Sequence, residues 1–311
     1  MEIETGNVVP RISWYREEGL GGMTREKEFV MQYVLHPKFN LALLSRLARL
    51  GTLNGGVLFY GPPGSGKTFL AKKTAQIWAR ATPSLSVRFI RGPELFDKMV
   101  GKTEETVREI FAEAEKNIAD VEKGGASLRQ HLVIIDEIDS MFGVRGKDQS
   151  SGVADRATAT FISMMDDVKL RQNLFIIGTT NRYDMVDPAV VRSGRLGLHL
   201  KIAAMSTDDK ADVLRLNLEK DAMNESQQDQ LSAEQKAKIE AIIELFKRDY
   251  ATMQTSQITD AMSRAIIKMT IAGDESLTPA HFKAAADELL DDVVDKQCRF
   301  KALSSEIANP V

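Results

Sequence analysis

A single cysteine, Cys298, is all that the 311 residues contain. No disulfide can close within the chain, and a reducing, cytoplasmic compartment is the expected setting. Long apolar runs are also missing. No stretch reaches the roughly 18 consecutive apolar residues that a bilayer-spanning helix needs, so no direct membrane insertion is expected. The opening Met1-Glu2-Ile3-Glu4-Thr5 is acidic and has no apolar centre, unlike a signal peptide. Nor is there an excess of positive charge. Lys and Arg number 41 against 44 Asp and Glu, a net charge of −3, which offers no electrostatic footprint to nucleic acid. The hydrophobic share of 43% and charged share of 27% are those of an ordinary globular protein, which excludes a disordered chain.

Two textures are present instead. Up to residue 204, short apolar runs rich in β-branched residues alternate with helical stretches. The runs are 57–60, 86–90, 132–135, 174–177 and 198–202; the helical stretches are 67–80, 103–122 and 153–169. Near-continuous hydrophobicity in four of the five runs predicts strands covered on both faces, and the alternation predicts a parallel, doubly wound α/β sheet. Beyond 205 the strand signal ends and four helices are expected, at 207–220, 232–248, 256–271 and 278–296. Ser232 with Gln235 reads as a capping box, and Thr278-Pro279 as a cap followed by proline in the first turn. The very polar segment 221–238 reads as an exposed connection. The expected domains are therefore 1–204, α/β, and 205–311, small and all-helical.

Gly61-Pro62-Pro63-Gly64-Ser65-Gly66-Lys67-Thr68 fits G-x-x-x-x-G-K-[ST], with a strand before it and the helical stretch from Phe69 after it. Backbone N–H groups curled by the glycines, at the positive end of a helix, make an anion site for a nucleoside triphosphate. Lys67 is expected on the outer phosphates and Thr68 on Mg²⁺. Downstream, Leu132-Val133-Ile134-Ile135-Asp136-Glu137 is a buried-type strand ending in acids. Asp136 is placed to order the metal with Thr68, and Glu137 to polarise an attacking water. Thr179-Thr180-Asn181 follows the next strand, where the Asn181 amide can position that water.

These segments together resemble the AAA family of ATPases, and within it the branch that takes apart membrane-fusion complexes. The likeness continues through Asn181–Leu196, which resembles the family's second region of homology, and covers roughly residues 14–296. It implies a P-loop NTPase fold and a Mg²⁺-dependent ATPase working as a homo-oligomeric ring, most simply a hexamer, on a protein substrate that an adaptor can present. Arg192 and Arg195, the arginines of the R-x-G-R ending, are implied to reach the neighbouring subunit's nucleotide. Leu20, Gly21, Gly22 and Ser256 are implied to flank the adenine, beside the phosphate-loop residues Pro63, Gly64, Ser65, Gly66 and Phe69. Met99 and Val100 fall where the family places its first pore loop, and 143–152 reads as a second by its glycine and serine content. Departures remain: Ser65 stands where that branch carries a cysteine, and neither an adaptor-binding domain before residue 14 nor a second ATPase domain is expected. A nucleotide-dependent scaffold and a DNA-handling motor are the competing readings. Glu137 with Asn181 argues against the first, the acidic balance and Met99 against the second.

Overall fold

The computed structural model describes residues 9–93, 103–124, 129–143, 151–226 and 230–308. Met99 and Val100, and most of the candidate second pore loop, lie outside the described residues. Two compact units emerge: residues up to Leu20 together with Thr24–Ala204, and Gly21–Met23 together with the chain from Met205 onward. Among the described residues no helix is long and apolar enough to cross a membrane.

The first unit opens with short helices, α1 (Ser13–Glu17), α2 (Thr24–Phe29), α3 (His36–Phe39) and α4 (Leu41–Arg49), with a π-helical stretch at Val30–Leu35. Asn40 caps α4, its side chain accepting from the Leu43 N–H at 3.0 Å. The sheet follows: β1 (Gly56–Tyr60), β2 (Ser86–Arg91), β3 (His131–Asp136), β4 (Leu174–Thr180) and β5 (Leu198–Lys201). The strand order is β2-β3-β4-β1-β5, and every pairing is parallel. Helix α5 (Lys67–Ala81) buries Leu70, Ala71, Thr74, Ala75, Ile77, Trp78 and Ala81, a spacing of three and four that lays one face on the sheet. Each large apolar side chain so buried contributes about 1.5–3 kcal/mol. Helices α6 (Thr103–Glu122), α7 (Ser151–Met165) and α8 (Val168–Asn173) complete the unit. Phe111, Phe142 and Phe161 are fully buried there and pack ring against ring.

Two expectations from the sequence are corrected. The stretch 153–169 is not one helix. It stops at Met165, and Asp167 starts α8 by accepting from the Lys169 and Leu170 N–H groups at 2.7 and 3.4 Å. A carboxylate that satisfies the open N–H groups of a new helix outcompetes continuation of the old one. Covering on both faces also holds for only part of the sheet. All seven residues of β4 are buried, whereas the edge strand β2 leaves Val87 and Phe89 exposed at 43% and 37%.

The second unit is helical: α9 (Thr207–Ser226), α10 (Ala233–Asp249), α11 (Thr255–Ala272) and α12 (Pro279–Ala308). Its core gathers Leu214, Ile242, Phe246, Ile258 and Phe282, with alanines at 261, 265, 285 and 286 that admit close packing. The polar connection expected at 221–238 is shorter. Helix α9 runs on through 226, and α10 already begins at 233 because Ser232 and Gln235 close a reciprocal capping box, at 2.9 and 3.2 Å.

Candidate active site

Parallel register decides what meets at the carboxyl edge of the sheet. Tyr60 at the end of β1 lies opposite Thr180 at the end of β4, and Ile135 of β3 lies opposite Gly178 of β4. The phosphate loop, the acids after β3 and the Thr-Thr-Asn segment therefore leave the sheet side by side, where ligands of open α/β sheets bind. Around them is a cavity of about 350 Å³ whose lining includes Lys67, Thr68, Asp136, Glu137, Thr179 and Asn181.

The loop owes its course to glycine. Gly66 precedes α5 with φ of 91°, left-handed backbone that disfavours a side chain, and Gly61 runs so close to the Ile202 carbonyl that a Cβ there would collide with it. Lys67, 6% exposed, donates to the carbonyls of Gly61 at 3.0 Å and Pro62 at 2.7 Å, and to Ser65 Oγ at 3.3 Å. Burial depresses the Lys67 pKa, while the nearby Asp136 carboxylate pulls it back up. The N–H groups of the first turn of α5 have no partner within the helix, which leaves an anion site beside this cation. Phe69 is 46% exposed on the cavity wall, and Pro63, Gly64 and Gly66 line it.

Two hydroxyls converge on one carboxylate oxygen. Thr68 Oγ1 and Thr179 Oγ1 both donate to Asp136 Oδ1, at 2.6 and 2.5 Å. A hydroxyl and a carboxylate at bonding distance form a hard-oxygen pair of the kind Mg²⁺ uses when phosphates and water complete its shell. Among the described residues no cluster of three or more His, Cys, Asp or Glu is arranged to hold a metal.

Glu137 is one of two non-glycine residues with positive φ among the described residues, at 54°. Such backbone costs on the order of 1 kcal/mol and persists only when its surroundings hold it. Here Thr179 Oγ1 accepts the Glu137 N–H at 3.3 Å, and Ser140 donates from both N–H and Oγ to the Glu137 carbonyl, at 3.0 and 2.7 Å. Asn181 is fixed through its neighbours: Thr180 Oγ1 donates to Asp139 at 2.7 Å and Arg182 Nε to the same carboxyl at 3.2 Å. Sequence reasoning missed the parts of Thr179 and Asp139. The signal for Thr179 was present in its place at the strand end, two residues before Asn181.

The remaining site expectations fall elsewhere. Leu20 is buried in the first unit, where its carbonyl accepts from Lys27 Nζ at 2.7 Å. Gly21 and Gly22 belong to the second unit, and the Gly22 N–H donates to Asp212 at 2.7 Å. Ser256 lies in the first turn of α11. Arg192 and Arg195 do not line the cavity. Arg192 is exposed. Arg195 forks onto both oxygens of Asp166 at 2.9 Å and donates to the Ala189 carbonyl at 2.6 Å, and this hydrogen bonding holds the Asp166 carboxyl below its ordinary pKa. The segment before it is pinned as well: Asn54 Oδ1 accepts the Gly194 N–H at 3.0 Å, and Arg171 donates to the Gly194 carbonyl at 3.2 Å.

Residues 57–204 match the model of the ATPase family associated with various cellular activities (AAA). Among curated proteins, the chain is 32% identical to the vesicular-fusion protein sec18 of Schizosaccharomyces pombe over 68% of its own length and 26% of that protein. It is 38% identical to the proteasome-associated ATPase of Nakamurella multipartita over 66% of the chain and 34% of that protein. A Bifidobacterium dentium protein described as an AAA ATPase forming ring-shaped complexes is 35% identical over 64% of the chain and 36% of its own length. The chain thus spans about a quarter to a third of these relatives. The matched segment contains the whole cavity-forming set from the phosphate loop to Asn181, and residues 57–204 of the chain form an AAA ATPase domain.

Proposed function

We propose that the chain is the ATP-hydrolysing subunit of a homo-oligomeric ring, most simply a hexamer, that remodels or dismantles protein assemblies. The observation that carries the reading is the hydroxyl–carboxylate cluster of Thr68, Thr179 and Asp136 beside a buried Lys67. Lys67 sets its charge against the outer phosphates, and the N–H groups opening α5 cradle them. Thr68 and Asp136 would hold Mg²⁺, which supplies charge to the phosphoryl oxygens. Glu137 takes the proton of the attacking water, and Asn181, held between two residues tied to Asp139, orients it. Arg192, and Arg195 once released from Asp166, would supply charge to the phosphoryl group in the next subunit. Leu20, Gly21, Gly22 and Ser256 are assigned to the adenine, and Met99 and Val100 to the grip on an extended polypeptide.

The ring is supported by the relative described as forming ring-shaped complexes. Action on proteins is supported by the vesicular-fusion and proteasome-associated relatives, and the sequence motifs of the chain resemble those of the first ATPase domain of N-ethylmaleimide-sensitive factor. The test is kinetic. Glu137→Gln should keep ATP binding and lose hydrolysis by about 10²–10⁴, the usual contribution of a general base. Lys67→Ala should lose nucleotide binding. Hydrolysis by Glu137→Gln at the parent rate contradicts the assignment.

A further inference from the structure

Tyr183 and His199 have no part in the chemistry above, yet they join two segments that do. Tyr183 follows Asn181 by two residues, and its hydroxyl lies 3.2 Å from His199 Nδ1. On the other side of the ring, His199 Nε2 lies 2.9 Å from the carbonyl of Val191, the residue before Arg192. The Val191 carbonyl can only accept, so Nε2 carries the proton; Nδ1 of the neutral ring is then an acceptor and takes the Tyr183 O–H. One tautomer satisfies both bonds, and the direction runs from Tyr183 through His199 to Val191. Ring packing reinforces the path: Tyr183 lies 5.6 Å from His199 and 4.6 Å from Tyr60, the last residue before the phosphate loop. His199 is itself on β5, held to Leu58 of β1 in the sheet register. A rigid strand thus carries a side chain whose two nitrogens bridge two loops.

We infer that His199 is a positioning residue that ties the Asn181 segment at a subunit's own phosphate site to the Arg192 segment it presents to the next subunit. The inference rests on the ring reading of the arginines. Where an outer phosphate draws Asn181, the displacement passes through Tyr183 and the imidazole to the Val191 carbonyl, and the arginine beside it is presented differently with and without ATP. Energetic coupling of this kind travels through contiguous hydrogen-bonded groups, and breaking one link changes it by a factor of about 3 to 30.

The experiment uses His199→Phe and Tyr183→Phe, which keep a ring in place and remove only the bonds. Amide hydrogen exchange is followed with and without ATP and Mg²⁺ in a Glu137→Gln background, so that bound ATP persists. In the unmodified background, nucleotide should slow exchange at 61–68 and change it at 190–196. With His199→Phe the first effect should stay and the second vanish. Steady-state turnover in the Glu137 protein should fall about 3- to 30-fold in each variant with KM unchanged. The double variant should fall no further than His199→Phe alone, since both remove one path. His199→Gln, which can again donate and accept, should recover part of the loss. An exchange response at 190–196 that survives His199→Phe, or strictly multiplicative losses in the double variant, overturns the inference. An absence of protection at 61–68 in the unmodified background is a different result: it defeats the nucleotide site itself, and the inference with it.

Discussion

At the scale of single residues, the site is organised by oxygen atoms competing for Asp136. With two hydroxyl donors on one carboxylate oxygen, the Asp136 side chain is fixed before any ligand arrives. Preorganisation of this kind means that positional error is corrected during folding and not during turnover. Lys38 shows burial acting without a carboxylate partner. It is 2% exposed, its ammonium donates to the Arg171 carbonyl at 2.9 Å, and burial pushes its pKa down to about 7. The unfolded chain holds that proton up to about pH 10.4, so between about 7 and 10.4 the unfolded state binds more protons than the folded one. Stability must then rise with pH through this window, by up to about 1.4 kcal/mol per unit from this group. Denaturant unfolding of the parent and of Lys38→Met at pH 7 and pH 9 should show that rise in the parent only; equal pH dependence would show that Lys38 stays protonated when folded. Asp166 supplies a second residue-scale test. Its side chain is 56% exposed and its bond to Arg195 is within one chain, so Asp166→Asn should leave ATP turnover within about 3-fold of the parent, the size of an exposed ion pair. Loss as deep as that of Arg195→Ala would mean that Arg195 acts by holding Asp166.

Secondary-structure elements differ in how openly the sequence announces them. The five strands lie within three residues of their expected positions, because a buried parallel strand must be apolar along most of its length and is bounded by loops that are not. The gathering of Lys67, Asp136, Glu137 and Asn181 at one edge was legible for the same reason, since a parallel sheet brings all strand carboxyl ends to one side. The break between α7 and α8 was not legible. Asp166-Asp167 looks like an exposed helical pair until Asp167 is seen to cap a new helix. The contacts of Thr179, Asp139 and His199 were hidden because they join residues 8 to 43 positions apart, and no local period reports a pairing at that distance. Legible caps can be tested directly. Ser232 closes the box at the start of α10, so Ser232→Ala should cost about 1 kcal/mol in the second unit's unfolding, with little change in ATP binding. A loss below about 0.3 kcal/mol would show that the cap is replaced by water.

For the molecule as a whole, the arginines decide between a self-contained P-loop enzyme and a ring. In this structure Arg192 is exposed and does not line the phosphate cavity of its own chain, and Arg195 is engaged by Asp166. A guanidinium acting on the transferred phosphoryl group is worth roughly 10³–10⁵ in rate, far more than an exposed ion pair. Each of Arg192→Ala and Arg195→Ala should therefore cut turnover steeply while leaving ATP affinity unchanged. The most direct measurement mixes two inactive proteins, Lys67→Ala and Arg195→Ala, and follows ATP hydrolysis as the ratio is varied. An Arg195→Ala subunit keeps its own phosphate loop and can borrow the arginine of a Lys67→Ala neighbour. The account predicts that activity returns in proportion to the frequency of that arrangement. Co-assembly of the two proteins with no return of activity would contradict it.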